Sequence, residues 1–359
     1  TSTGLTMVSD PGHRSAGFLF ARAWMLWFGG LGMVVLSLAL ALGRPADTRR
    51  LADAAGDDEY PEHGVRVHAR RMLAVYLLLT VLGIALVWAS GVPPFQALIH
   101  ALAAISTGGF SGFGSSLAGL ETPARAALIL VALVGALPIP LFYRAYAQEL
   151  GRCWRDPELR ALVVAVTLVA LLLWWLGQLT PAEAFTQAVF AQTTTGFSTL
   201  DIAALDPAAK WTLILSMVAG GGVGSTAGGV KLLRVLILIR VIQLAVLRAQ
   251  MPRHAVIHPE LAGRPLDGAQ IEHALLLLLL YPSVIALSWL PFLAAGYAPL
   301  DALFEIVSAV GTVGLSTGIT GPDLEPALKL LLSLDMLLGR LEILALLVLV
   351  YPGTWHKRA

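Results

Sequence analysis

Long apolar runs alternate along this chain with two kinds of polar stretch. One kind is rich in arginine, and the other is short, glycine-centred and rich in hydroxyl side chains. The runs 17–42, 72–90, 124–146, 162–176, 274–292 and 327–351 carry few charges. Most reach the length a helix needs to cross a bilayer, about 20 residues at roughly 1.5 Å each. A further run, 208–247, is too long for one crossing and is interrupted midway by Gly220-Gly221-Gly222-Val223-Gly224-Ser225-Thr226-Ala227-Gly228-Gly229. The pattern predicts an all-α polytopic membrane protein.

The glycine-centred stretches repeat. Gly4-Leu5-Thr6, Gly109-Phe110-Ser111, Gly196-Phe197-Ser198 and Gly314-Leu315-Ser316 all read glycine, apolar, hydroxyl. Pro94, Pro181 and Pro299 stand 15 positions before Gly109, Gly196 and Gly314 respectively. Two residues after each proline comes a polar side chain (Gln96, Glu183, Asp301), then an alanine (Ala97, Ala184, Ala302). Proline favours the first turn of a helix. The spacing therefore predicts a short helix of about 11 residues, spanning about half of a 30 Å hydrocarbon core and running into a re-entrant loop. Irregular backbone at that depth is tolerated only against protein or a water-filled cavity, which implies a pore or buried site.

Four pseudo-repeats follow, each of helix, half-helix (a pore helix), filter loop and helix around a central pore. Residues 1–43 hold the filter loop and inner helix of an incomplete first repeat, and 44–147 form the second with a cytoplasmic lead-in. Residues 148–248 form the third, with a broken inner helix and an intramembrane loop at 219–230, and 249–359 form the fourth. Residue 1 lies inside the first loop, so an outer helix and half-helix are expected ahead of it.

Composition narrows the class. The chain has 359 residues, 57% hydrophobic and 13% charged, with mean hydropathy +0.76, which excludes an ordinary soluble domain. A net charge of +1 without a basic, aromatic-interleaved block gives no reason to expect nucleic acid. The single cysteine, Cys153, excludes an internal disulfide framework and a cysteine metal cluster. The eight histidines show no ligand spacing, and no nucleophile–base set suggests an enzyme.

Charge sets orientation. Connectors between repeats carry several arginines (Arg44, Arg49, Arg50, Arg66, Arg70 and Arg71; Arg144, Arg152, Arg155 and Arg160; Arg248, Arg253 and Arg264). The stretches after the loops carry single cations, Arg14, Arg125, Lys210 and Lys329. By the positive-inside rule the connectors and C-terminus are cytoplasmic and the filter loops open outward.

Glycine suits a loop whose carbonyl oxygens must face a central axis and replace an ion's hydration shell. Neighbouring hydroxyls of Thr195, Ser198, Thr312 and Ser316 can hold such a loop or add ligands. The Gly220–Gly229 stretch cannot continue a stable helix, since each interior glycine costs roughly 1 kcal/mol relative to alanine. Its small residues predict a gate across the pore; a passive kink is the simpler alternative. A phosphate-binding P-loop is excluded, because Val230 precedes Lys231 and Leu232 follows it. Lys231 either anchors the gate or marks where the helix resumes. Arg340 lies mid-way along the last apolar run, where a charge is expensive and normally faces the bundle interior. Glu342, Asp335 or carbonyls of the glycine-rich stretch are its candidate partners, and an interhelix salt bridge away from the pore is the alternative.

Together these motifs resemble the Trk/Ktr/HKT superfamily of potassium transporters, the Trk-type membrane subunit most closely. The residues that carry the likeness are TSTGLT (1–6), STGGFS (106–111), TTTGFST (193–199), GTVGLSTG (311–318), GGGVGSTAGGVK (220–231) and MLLGRLEILALLVLV (336–350). Leu26 departs from the pattern, which has glutamine there. The resemblance implies a K⁺ selectivity filter at Thr3, Gly4, Gly108, Gly109, Thr195, Gly196, Val313 and Gly314. It also implies a gate formed by Gly220, Gly221, Gly222, Gly224, Ser225, Thr226, Gly228, Gly229, Lys231 and Arg340. Further implications are a homodimer in the bacterial inner membrane and a cytosolic TrkA-like ring of RCK regulatory domains. That ring would bind any NAD, ATP or ADP, and this chain would carry no cofactor beyond the transported K⁺. An H⁺- or Na⁺-coupled K⁺ symporter is the alternative function.

Overall fold

The computed structural model describes residues 1–8, 11–42, 61–114, 116–139, 141–142, 154–250, 259–341, 343 and 351. The connector arginines Arg44, Arg49, Arg50, Arg144, Arg152 and Arg253, together with Cys153 and Glu342, lie outside the described residues. Its helices are α1 (Ala16–Leu42), α2 (Pro61–Ala89), α3 (Pro94–Ile105), α4 (Thr122–Ala136), α5 (Pro157–Leu176) and α6 (Pro181–Gln192). They continue with α7 (Pro207–Ala219), α8 (Leu232–Gln250), α9 (Gly268–Ala294), α10 (Pro299–Val310) and α11 (Pro326–Arg340). A 3-10 turn at Pro11–His13 and an antiparallel pair, β1 (Glu260–Leu261) with β2 (Arg264–Pro265), complete the regular structure of the described residues.

One order recurs three times: a long helix, a short helix, an irregular loop and another helix. The short helices α3, α6 and α10 have 12 residues each, or about 18 Å. Proline opens each one, fixing φ at the position where a missing N–H is harmless. The polar residues two positions on serve three different ends. Glu183 completes a capping box with Thr180, and Asp301 pairs with Lys210 at 2.7 Å, tying the start of α10 to α7. Gln96 lies against Gly112 instead, where any added Cβ would meet its Oε1.

Three helix limits differ from the hydropathy pattern. α2 begins at Pro61, well before the apolar run at 72, because helix formation follows backbone geometry and runs on through polar turns. α4 ends at Ala136 where 124–146 was expected, since Pro138 pushes Leu137 into an extended conformation. α11 ends at Arg340, and residues 344–350 of the expected span lie outside the described residues.

Two apolar clusters form the interior. One surrounds α3 and draws on α1, α2 and α4; the other surrounds α6 and α10 and draws on α5, α7, α9 and α11. Phe190 and Phe197 belong to the third unit yet pack in the first cluster, joining the halves. Among the described residues, Arg70–Ala89, Pro157–Leu176 and Gly268–Ala294 are long and apolar enough to cross a membrane. Their outward faces carry large apolar side chains such as Leu78, Val81, Trp175 and Leu287, all more than half exposed, a distribution suited to lipid and not to water.

Candidate functional site: a ring of four loops over a buried glycine-rich segment

The four glycine-centred loops share one backbone bend. Two residues before each central glycine stands a non-glycine residue with left-handed φ: Ser2 at 59°, Thr107 at 50°, Thr194 at 54° and Thr312 at 51°. Such values are uncommon for residues with a Cβ and persist only where the surroundings fix them. Recurrence in all four loops makes the bend a designed feature. Gly109 and Gly196 then take φ of 69° and 75°.

The loops meet in cyclic order. The Gly4 N–H donates to Val313 O at 3.3 Å, and a Cβ on Gly4 would meet Gly108 O at 2.8 Å. A Cβ on Gly109 would run into Thr195 O, one on Gly196 into Val313 O, and one on Gly314 into Gly4 itself. First loop touches second, second third, third fourth, and fourth first. Gly4, Gly109, Gly196 and Gly314 all line a single cavity of about 460 Å³. Thr3, Gly108, Thr195 and Val313 are thereby gathered at the same ring, with Thr3, Thr195 and Val313 buried.

What holds each loop was missed in the sequence although the signal was there. Six residues after the opening proline of each short helix comes a polar side chain: His100, Gln187 or Glu305. Each contacts the serine 11 positions further on. His100 Nε2 lies 3.1 Å from Ser111 Oγ, Gln187 Nε2 donates to Ser198 Oγ at 2.6 Å, and Ser316 Oγ donates to Glu305 at 2.5 Å. Glu305 also accepts from the Thr317 N–H at 2.8 Å and Thr320 Oγ1 at 2.6 Å, so a fully buried carboxylate organises the fourth loop. In the first loop the corresponding hydroxyl, Thr6 Oγ1, accepts from Arg22 of α1 at 3.1 Å. The Arg22 guanidinium lies 4.0 Å from the centroid of the Phe110 ring, linking first loop to second. Leu26 packs on Gly108, where a Cβ would meet its Cδ1 at 2.8 Å.

The glycine-rich segment runs beneath the ring and connects α7 to α8. Gly220, Gly224 and Gly229 have positive φ, as does Lys231 at 77°. Bonds from many elements hold it. Thr226 Oγ1 lies 2.9 Å from both Ile105 O at the end of α3 and Gly135 O of α4. The Gly228 N–H donates to Thr194 Oγ1 at 2.7 Å, and Gln192 Nε2 donates to Gly220 O at 2.6 Å. A Cβ on Gly228 would collide with Gly311 O and Thr312 Oγ1, so the segment touches the base of the second, third and fourth loops. Gly221 and Gly222 lie along Ala136 and Pro138, and the Ser225 hydroxyl donates to Gly222 O.

Arg340 closes the arrangement. Its Nη1 donates to Thr226 O at 2.9 Å and its Nη2 to Gly29 O of α1 at 2.6 Å. Among the described residues it forms no ion pair: the partners are carbonyls, one of them in the glycine-rich segment. Asp335, another candidate partner, instead accepts from Ser288 Oγ at 2.7 Å. A guanidinium whose described partners are carbonyls sets a positive group next to the segment under the ring.

A family model described as "Cation transport protein", TrkH, matches residues 1–355. The chain belongs to the TrkH family. Among curated relatives, the Trk system potassium uptake proteins TrkH of Salmonella typhimurium and Escherichia coli are each 30% identical over 381 residues. These alignments cover 99% of this chain and 77% of each relative. An uncharacterized cation transporter of Methanocaldococcus jannaschii is 29% identical over 352 residues, covering 97% of this chain and 73% of its own length. The crystal structure of the potassium transporter TrkH from Vibrio parahaemolyticus superposes with a TM-score of 0.84 at 28% identity, covering 99% of this chain and 76% of that one. Membership in the TrkH family makes this a membrane protein of a cation transport family, and the cyclic loops are its most distinctive internal feature.

Proposed function

We propose that the chain is the potassium-conducting membrane subunit of a Trk-type uptake system. The carrying observation is the cyclic contact of four like-bent glycine loops around one cavity. Such a ring offers carbonyls from Thr3, Gly108, Thr195 and Val313 to a desolvated cation. The short helices α3, α6 and α10 end where the loops begin, so their negative C-terminal dipole ends add to cation stabilisation. The potassium uptake named for the Salmonella and Escherichia relatives agrees with this chemistry. In this reading the four pseudo-repeats line one pore, the filter opens outward and the arginine-rich connectors face the cytoplasm of a bacterial cell. The segment 219–230 is the gate, with Lys231 at its end and Arg340 as a positive barrier locked to it. The working assembly is a homodimer carrying a cytosolic ring of RCK domains, and NAD, ATP or ADP act through that ring.

Flux through purified protein in liposomes tests the reading. Potassium flux exceeding sodium flux, with a reversal potential that follows the K⁺ gradient alone, is the expected result; equal K⁺ and Na⁺ flux would reject it. H⁺- or Na⁺-coupled symport finds support in Asp335, which is buried in α11 with one carboxyl oxygen unpartnered among the described residues. A reversal potential that shifts with an imposed pH or Na⁺ gradient would favour that mechanism.

A further inference from the structure

The first turn of α5, the start of α8, the β1–β2 hairpin and α9 enclose a cavity of about 640 Å³ that the conduction reading does not use. It is open along one side, and its size lies within the roughly 300–1,000 Å³ of small-molecule sites. Leu233, Ile237 and Leu266 form an apolar wall, while Asp156, Glu158 and Arg234 bring both signs of charge to the same space. Glu158 also touches the glycine-rich segment, for its Oε2 accepts the Val223 N–H at 2.6 Å. Its other oxygen accepts no hydrogen bond among the described residues and is not enclosed by protein. Lys231 and Arg234 act on Glu158 through their charges, and its open oxygen still offers a place for a hydrogen-bond donor in a half-apolar cavity.

We propose that this cavity binds a phospholipid whose headgroup carries a primary ammonium and no carboxylate to set against Asp156 and Glu158, that is, a phosphatidylethanolamine. The ammonium meets the open oxygen of Glu158, the phosphate lies toward Arg234, and an acyl chain runs along Leu233, Ile237 and Leu266. Each alternative headgroup leaves the open oxygen of Glu158 without an ammonium N–H. A purely anionic lipid can turn its phosphate toward Arg234 but brings no N–H cation to Glu158, and a choline headgroup has no N–H to give. The occupant steadies Glu158 in the position that holds Val223, so the site bears directly on the segment beneath the ring.

Native mass spectrometry of protein recovered from liposomes of equal phosphatidylethanolamine and phosphatidylcholine tests this without any transport measurement, so its outcome is separate from that of the conduction reading. The intact chain should retain the ethanolamine lipid over the choline lipid by roughly tenfold, the scale of one charge-assisted hydrogen bond. That preference should vanish in Glu158→Gln, which removes the charge, and in Leu266→Trp, which fills the cavity from a partly exposed position. Undiminished preference in either variant overturns the site. Adducts formed by soluble phosphoethanolamine but not by the lipid would assign the cavity to a free small molecule and overturn the lipid assignment.

Discussion

The ring of loops and the glycine-rich segment below it are both irregular, buried and built on glycine, yet the balance of local and distant ties differs between them. Each of the second to fourth loops is fastened from within its own unit, by a side chain on its short helix reaching a serine 11 residues later. The 220–231 segment has local bonds too, such as Val230 N–H to Val218 O and Ser225 Oγ to Gly222 O, but more of its hold comes from distant elements. These bonds come from α3, α4, α5, α6 and α11, and several of them run from side chain to backbone across large sequence separations. Locally fastened loops keep their shape if a distant element shifts. A segment held by many separate elements is coupled to each of them, a contrast that suits the filter and gate proposed for these two regions.

Substitutions can break this contrast from either side. The largest effect is expected at Gly196→Ser. The position has positive φ, and a Cβ there strikes Val313 O, so the ring must deform. The K⁺ to Na⁺ permeability ratio should fall by roughly tenfold or more, given about 1–2 kcal/mol for the backbone conformation alone and 1.4 kcal/mol per decade. An unchanged ratio in bi-ionic recordings would remove Gly196 from the filter.

Arg340→Gln comes next. Loss of the guanidinium deletes the bonds to Thr226 and Gly29 and removes repulsion on the order of 2 kcal/mol at an effective dielectric near 20. Basal K⁺ flux in liposomes should rise several-fold to tenfold, and a flux at or below that of the parent protein contradicts its barrier role.

A comparison within the ring follows. Glu305→Ala strands the hydroxyls of Ser316 and Thr320 and the Thr317 amide, about 1–3 kcal/mol for each buried donor. Gln187→Ala removes one bond to Ser198, about 1 kcal/mol. Thermal unfolding in detergent should therefore show a clearly larger loss for Glu305→Ala, and equal losses would deny Glu305 its special place. The smallest effect is expected for Thr226→Val, which keeps the shape but removes the hydroxyl bonds to Ile105 O and Gly135 O. Basal flux should increase by about fivefold or less, as about 1 kcal/mol allows; a decrease would mean that these bonds favour the open state.

Much of this arrangement is legible in the sequence. The prolines at 94, 181 and 299 announced three short helices because helix starts are governed by local geometry, and all three begin at those residues. The central glycines marked the loops for the same local reason. The partners of the loops were legible in principle, since His100, Gln187 and Glu305 share one spacing to proline and one to serine. They escaped because histidine, glutamine and glutamate look unlike one another in sequence, while their shared task is only to reach a hydroxyl. Nothing in the sequence disclosed that Thr226 bonds to Ile105 and Gly135, or that Arg340 reaches Gly29. Those acceptors are backbone carbonyls, which every residue possesses and no residue type advertises.

The sequence by itself determined where helices start, where the backbone must bend, and which glycines are equivalent, because these depend on φ preferences and periodicity within one short stretch. Only the tertiary structure decided that the four loops close into a ring and that Arg340 binds the carbonyls of Thr226 and Gly29. It also decided that Glu158, in the first turn of α5, holds Val223 of the glycine-rich segment. Those outcomes depend on which surfaces bury one another across separations such as the 311 residues between Gly29 and Arg340, and no local preference encodes that distance.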